Sequence, residues 1–195
     1  MLFRSGGIKL YNNSVNLGSG TFAGNASGTL SASLYLSSTT SNLDIRNNIF
    51  VSNLVNSSAA AGKTYAIYSA VANTAFTNID YNDYSVSGTQ GVLGFIGSDR
   101  VALVDIQTGF GQNVASLNIS PVFTSPTDLH VYDAALDNLG TPIATITNDI
   151  DGDLRSATTP DMGADEFTFL SVNHFDVVSG FKVYPNPVNS ILNIE

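Results

Sequence analysis

A chain of 195 residues with 43% hydrophobic content is long enough to bury a sizeable core and too apolar to be disordered. Sixteen acidic against seven basic residues, a formal net charge of −9, leave no basic patch to neutralise phosphates and exclude nucleic acid as an expected partner. The absence of cysteine rules out a disulfide framework, a thiolate metal site and a cysteine nucleophile. Only 12% of the residues are charged, whereas Ser, Thr, Asn and Gly abound. That balance suits a sheet-rich surface, since long helices normally bring more Glu, Lys and Arg. No apolar run approaches the roughly 20 residues that span a bilayer, so no membrane span is expected.

Met1-Leu2-Phe3-Arg4-Ser5-Gly6-Gly7 lacks the apolar core of a signal peptide. Ile8 to Leu17 already reads as strand and corner, so the N-terminus reads as a cut edge with earlier coils and a leader outside the chain. Gly18 to Gly28 is turn-rich and reads as a loop. Ser31 to Ser38 sets Leu34 and Leu36 against Tyr35, a strand. The central stretch, Leu43 to Val51, sets Leu43 and Ile45 against Asp44 and Arg46, the alternation of a strand with one face inward.

That stretch organises the rest, because its pattern recurs. Tyr11-Asn12-Asn13 is answered by Arg46-Asn47-Asn48 and by Tyr81-Asn82-Asp83, at a step of 35 residues each time, and Leu34-Tyr35-Leu36 by Ile67-Tyr68-Ser69 at a step of 33. A fixed period of this size indicates units that bury their apolar faces only by stacking on neighbours. Each unit fits one coil of a β-solenoid. Asn and Asp tolerate a left-handed backbone best among non-glycine residues, which assigns the corners to Asn13, Asn48 and Asp83. Asn12, Asn47 and Asn82 are then expected to stack as an amide ladder.

Further along, Asn53 to Lys63 reads as a surface loop, and Thr64 to Val71 and Phe76 to Val86 as strands. From Gly91 the repeat decays. Val92 to Ile96 reads as a strand, and Asp99 to Thr108, whose apolar residues follow a mixed pattern, resembles the place where related chains put a short helix, with Asp99 as the candidate N-cap. Ala115 to Phe123 and Asp128 to Tyr132 read as short strands. Residues 91 to 167 form the last coils and the atypical terminal unit that repeat arrays require.

The segments IKLYNNSVNL, SASLYLSSTTSNLDIRNNIFVSN, NIDYNDYSVSG and DIDGDLRSATTPDMGADEF together resemble right-handed parallel β-helix (pectin-lyase-like) regions of large secreted proteins from Bacteroidetes-type bacteria. The resemblance covers about residues 8 to 167, and the closing D-x-D-G-x-x-R…P-D-x-G-A-x-E is its most specific part. It implies an all-β, right-handed parallel β-helix with a C-terminal cap.

Asp149, Asp151 and Asp153 around Gly152 put three carboxylates on one tight loop, which could supply oxygens to a structural Ca²⁺. The spacing is not that of an EF-hand. The preferred alternative is a structural cap, with the Asp side chains on turn amides and Arg155 paired with Asp161 or Glu166. No cofactor is expected beyond that calcium alternative. Arg46 beside Asp44 and Asp80 is the one lyase-like constellation, and it reads more readily as a cross-strand ion pair. Asp80 and Asp83 lack the marks of a glycosidase pair. His130 and His174 read as ordinary surface or interface residues. Tyr11, Tyr35, Tyr68, Tyr81 and Tyr84 could offer faces to sugars, although such stacks more often serve packing.

After a linker over residues 168–180, Val183-Tyr184-Pro185-Asn186-Pro187-Val188 resembles the opening of the C-terminal sorting domain of the type IX secretion system. Tyr184, Pro185, Asn186 and Pro187 form its Y-P-N-P turn, and Ile191 to Ile194 would begin the first strand of a β-sandwich that residues 181–195 leave truncated. The Pro residues suit a domain start, since each forces its predecessor to extend and removes an amide donor. The expectation is a non-catalytic segment, a stalk, adhesin-like or glycan-binding module. It belongs to a protein secreted by, or held on the surface of, a Gram-negative bacterium, with the secretion machinery and glycans as partners. The alternative is the C-terminal part of a polysaccharide lyase or glycoside hydrolase whose site lies upstream.

Overall fold

The computed structural model describes residues 6–23 and 30–168, together with the backbone of three two-residue strands, Leu2–Phe3, Val183–Tyr184 and Asn193–Ile194. The protein is all-β with one short helix, and its sheets are mostly parallel. Strands β1 (Leu2–Phe3), β4 (Leu30–Leu36), β7 (Lys63–Ser69), β10 (Gly91–Ile96) and β11 (Ser98–Arg100) lie side by side in one sheet. A second sheet holds β2 (Lys9–Tyr11), β5 (Leu43–Arg46) and β8 (Phe76–Asp80), and a third holds β3 (Ser14–Phe22), β6 (Ile49–Asn56) and β9 (Asp83–Val86). Each pass of the chain therefore gives one strand to each sheet. Among the described strands only β10–β11 and the pair β12 (Val183–Tyr184) with β13 (Asn193–Ile194) are antiparallel.

The register follows the repeat. Leu34, Tyr35 and Leu36 stand opposite Ile67, Tyr68 and Ser69, the step of 33 residues. Leu10 faces Ile45 at the step of 35, but Ile45 faces Ile79 at 34, and within β5 and β8 the step changes from 33 at Leu43 to 34 at Asp44. The alternation in β5 is realised: Leu43 and Ile45 are buried, Asp44 and Arg46 only half so. Leu10, Leu34, Leu36, Phe50, Ile67, Ile79, Tyr84 and Leu93 join them in one core enclosed by the three sheets.

Two stretches read as loops are strand. Residues 18–22 continue β3 past a bulge between Asn16 and Ser19, and Asn53 to Asn56 continue β6 beside them. Gly18 takes a left-handed φ of 60° at that bulge, which is why glycine-rich sequence pairs here instead of leaving the sheet. Conversely, the short strands expected at 115–132 shrink to isolated bridges, Asp83 with Leu117 and Phe123 with Val131.

The helix α1 (Leu103–Phe110) buries Ile106 and Phe110 against the β10 end of the core. Phe110 meets Phe76 edge-on at 5.3 Å. Its N-cap is Ala102 rather than Asp99. Asp105 reaches back to the amides of Val101 and Ala102, while Asp99 bonds Lys63 and the Tyr65 hydroxyl. The expected single terminal cap is thus divided. Helix α1 covers the end of the core, whereas the closing motif lies along the corner side, over a second apolar cluster of Ile49, Val51, Val131, Leu136 and Met162.

Candidate functional site

The Asn-bearing corners and the closing motif that grips them form the most densely bonded region, and its roles differ from the expected ones. Asn12 and Asn47 hold the left-handed corners, with φ of 51° and 57°, and Tyr81 with φ 56° takes the third. The ladder belongs to Asn13, Asn48 and Asn82. Asn13 Nδ2 donates to Asn48 Oδ1 at 3.0 Å, and Asn48 Nδ2 to Asn82 Oδ1 at 2.8 Å. Each amide also donates to the carbonyl two residues back, Tyr11, Arg46 and Asp80, and so closes the turn around the left-handed residue. Beyond the ladder, the backbone N–H of Asn82 donates to Ser116 Oγ at 3.0 Å. Asp83, assigned to a corner from its step of 35, instead opens β9 opposite Ile49. The second step is 34 residues where the first is 35, so the whole third turn falls one residue earlier, which a constant period could not anticipate.

Asn47 faces the closing segment rather than a ladder. Its Nδ2 donates to the Thr141 carbonyl at 2.7 Å, its Oδ1 accepts from Thr141 N at 2.9 Å, and its own carbonyl accepts from Gly163 N at 2.7 Å. Gly163 has φ 92°, and a Cβ there would fall 2.7 Å from both Ile49 Cδ1 and Ser14 Oγ. Only glycine allows so close an approach.

Within the motif, Asp149 Oδ1 accepts from the amides of Asp151 at 3.0 Å and Asp153 at 2.8 Å, and Oδ2 from Glu166 N at 3.0 Å. Burial works to raise the Asp149 pKa, but these amides outweigh it and hold the carboxyl below its ordinary range. Arg155, buried, donates to Glu166 Oε2 at 3.2 Å and to the carbonyls of Gly163 at 2.9 Å and Ala164 at 2.8 Å. Asp161 receives the amides of Asn138 and Phe167. Asp151 and Asp153 are exposed, and Asp151 turns to His130. The three aspartates therefore do not converge: Asp149 is spent on amides, and Asp151 looks to another partner.

His130 is the residue that sequence reasoning passed over. Its Nδ1 bonds Asp128, and its Nε2 lies 2.6 Å from Asp151 Oδ2. The carboxylates of Asp128 and Asp151 push its pKa up to about 9. An Asp two residues before the His was the only local signal; Asp151 is brought in by the fold.

The residues considered for sugar chemistry are engaged elsewhere. Arg46 Nε and Nη2 both donate to Asp44, at 2.7 and 2.9 Å, and its guanidinium lies 5.1 Å from the centre of the Tyr11 ring. Burial works to raise Asp44, but its bonds from Arg46 and Tyr11 outweigh it and hold it low. Asp80 Oδ1 accepts the amides of Tyr81 and Ala115. Asp83 is fully buried, with Oδ1 on Ile119 N. Tyr35 and Tyr68 stack at 5.0 Å, and Tyr68 and Phe95 at 4.5 Å, so both faces of the Tyr68 ring are covered by other rings. In the tail, Tyr184 pairs with Asn193 across β12 and β13. Pro185, Asn186 and Pro187 lie outside the described residues, as do His174 and most of the linker.

No family model matches the chain, and neither does any curated protein or solved structure. Among the described residues, no helix is long and apolar enough to cross a membrane.

Proposed function

We propose that the passes form a right-handed parallel β-helix like the pectin-lyase-like regions that the sequence resembles. In this reading the segment is a non-catalytic stalk or adhesin-like module of a secreted or surface-held bacterial protein, and its tail addresses it to the type IX secretion machinery. The observation that carries the reading is the Asn13–Asn48–Asn82 ladder with in-register strands on both sides, since a polar column continuous from pass to pass suits a rod that extends by repetition. Its functional-looking groups are consistent with a scaffold: Arg46 is paired, both faces of the Tyr68 ring are covered by neighbouring rings, and the closing motif bonds the Asn47 corner through the Gly163 amide. The tail reading rests on the sequence run Tyr184 to Pro187 alone.

The test is export. Expressed in a host with a working type IX system, with its native leader and full tail, the protein reaches the cell surface or medium, and replacing Tyr184, Pro185, Asn186 and Pro187 with alanine holds it back. Periplasmic retention of the unaltered protein overturns the sorting part of the reading. Release of unsaturated products from polygalacturonate or alginate by the described segment, abolished by Arg46→Ala, overturns the non-catalytic part.

A further inference from the structure

His130, Asp151 and Asp165 come from three separate stretches of the closing half, yet a ring nitrogen and one oxygen of each carboxylate all lie within 4.8 Å of one another. Asp165 is the informative member. It is more than nine-tenths buried, its Oδ2 accepts the Val131 amide at 3.2 Å, and among the described residues no hydrogen bond reaches Oδ1 and no Lys or Arg pairs with it. Among the described residues, the only positive charge facing this buried carboxylate is that of His130, which it shares with Asp151 and Asp128. With Asp128 on the far side of the ring, three carboxylates surround one imidazole, so negative charge remains in excess even when the ring is protonated.

We propose that His130 Nε2, Asp151 and Asp165 bind one divalent cation of borderline character, Zn²⁺ above all. Imidazole beside carboxylates suits Zn²⁺ better than Ca²⁺, which takes oxygen alone. Asp128, holding Nδ1, completes the carboxylate–histidine–metal arrangement that fixes the ring and its tautomer. Zinc bonds of about 2.0–2.2 Å set neighbouring donor atoms roughly 3.3 Å apart. The 2.6 Å between His130 Nε2 and Asp151 Oδ2 then opens slightly when the ion replaces their shared proton, and both side chains are exposed enough to move. The ion ties the 128–131 stretch and the 149–154 turn to the buried Asp165. This set shares only Asp151 with the acidic loop considered for calcium.

The experiment is titration of the chelator-treated protein with Zn²⁺ by calorimetry, with thermal unfolding in parallel and Co²⁺ as a spectroscopic substitute. One ion per chain binds, raises the unfolding temperature, and gives Co²⁺ absorption bands that His130→Gln removes. His130→Gln and Asp151→Asn, both at exposed positions, weaken binding at least about tenfold, while Asp153→Asn leaves it unchanged. No heat and no thermal shift in the unaltered protein overturns the proposal. So does binding that survives His130→Gln, or stabilisation by Ca²⁺ that Asp153→Asn abolishes, which places the ion on the loop instead.

Discussion

Asn48 Nδ2 donates to Asn82 Oδ1 across 2.8 Å, and the two residues are 34 apart in the chain, whereas Asn13 and Asn48 are 35 apart. The ladder thus follows the sheet register and not the spacing of the Asn pairs. Asn48 is fully buried and also accepts from Asn13 N while donating to the Leu10 carbonyl. Asn48→Leu leaves these groups without partners at about 1–3 kcal/mol each. The sum should lower the denaturant midpoint by more than Asn82→Ser, which keeps a polar group at an equally buried position. A cost under about 1 kcal/mol for Asn48→Leu would remove the ladder from the account of stability.

The strands were legible because their signal is local. Alternation in Leu43 to Arg46 and the echo of Leu34-Tyr35-Leu36 in Ile67-Tyr68-Ser69 depend only on which residues face inward. The two members of each Asn pair could not be told apart, because both residue types tolerate a left-handed backbone and both can donate amides. What decides is the bond from Asn48 Nδ2 back to the Arg46 carbonyl, which requires Asn47, between them, to be the left-handed one. The place of the closing motif was equally hidden. Asn47 is held by Thr141, 94 residues away, and by Gly163 of the motif, and the cluster of His130 with Asp151 and Asp165 is likewise a product of the fold.

Arg155→Lys tests the closing motif. The guanidinium bonds one carboxylate and the carbonyls of Gly163 and Ala164 at once, and an ammonium cannot reproduce that planar fork. The expected cost is about 3 kcal/mol, with earlier protease cleavage within residues 130–167 while the sheets stay intact. Uniform loss of protection across the whole chain would mean that the motif folds with the sheets as one unit.

Asp83 makes stability depend on pH. Burial pushes its carboxyl up to about 7, and Oδ2 is buried with no hydrogen-bond partner. The folded pKa lies above the unfolded value, so the folded state binds the extra proton. Its stability is therefore full below pH 4, falls as pH rises from about 4 to 7, and is flat beyond. A shift of about three pKa units corresponds to about 4 kcal/mol. Asp83→Asn should flatten that part of the profile measured by denaturant unfolding between pH 4 and 8. An unchanged difference between wild type and variant across this range would show that the carboxyl titrates at an ordinary value.

Tyr68 is the middle ring of the aromatic column, with Tyr35 on one face, Phe95 on the other and Tyr65 edge-on at 5.3 Å. Its parallel partners sit directly opposite in the register of β4, β7 and β10, so each stack adds to pairing that the backbone already makes. Removing the ring in Tyr68→Ala forfeits two face-to-face contacts and the edge contact together, an expected loss of about 2 kcal/mol. Tyr68→Phe retains all three and should stay within about 0.5 kcal/mol of the unaltered protein. If the column instead served a sugar through the Tyr68 hydroxyl, Tyr68→Phe would leave stability alone and abolish binding on a glycan array. Binding that survives Tyr68→Phe, or no binding in either protein, leaves the column to packing, where both of its ring faces are already engaged.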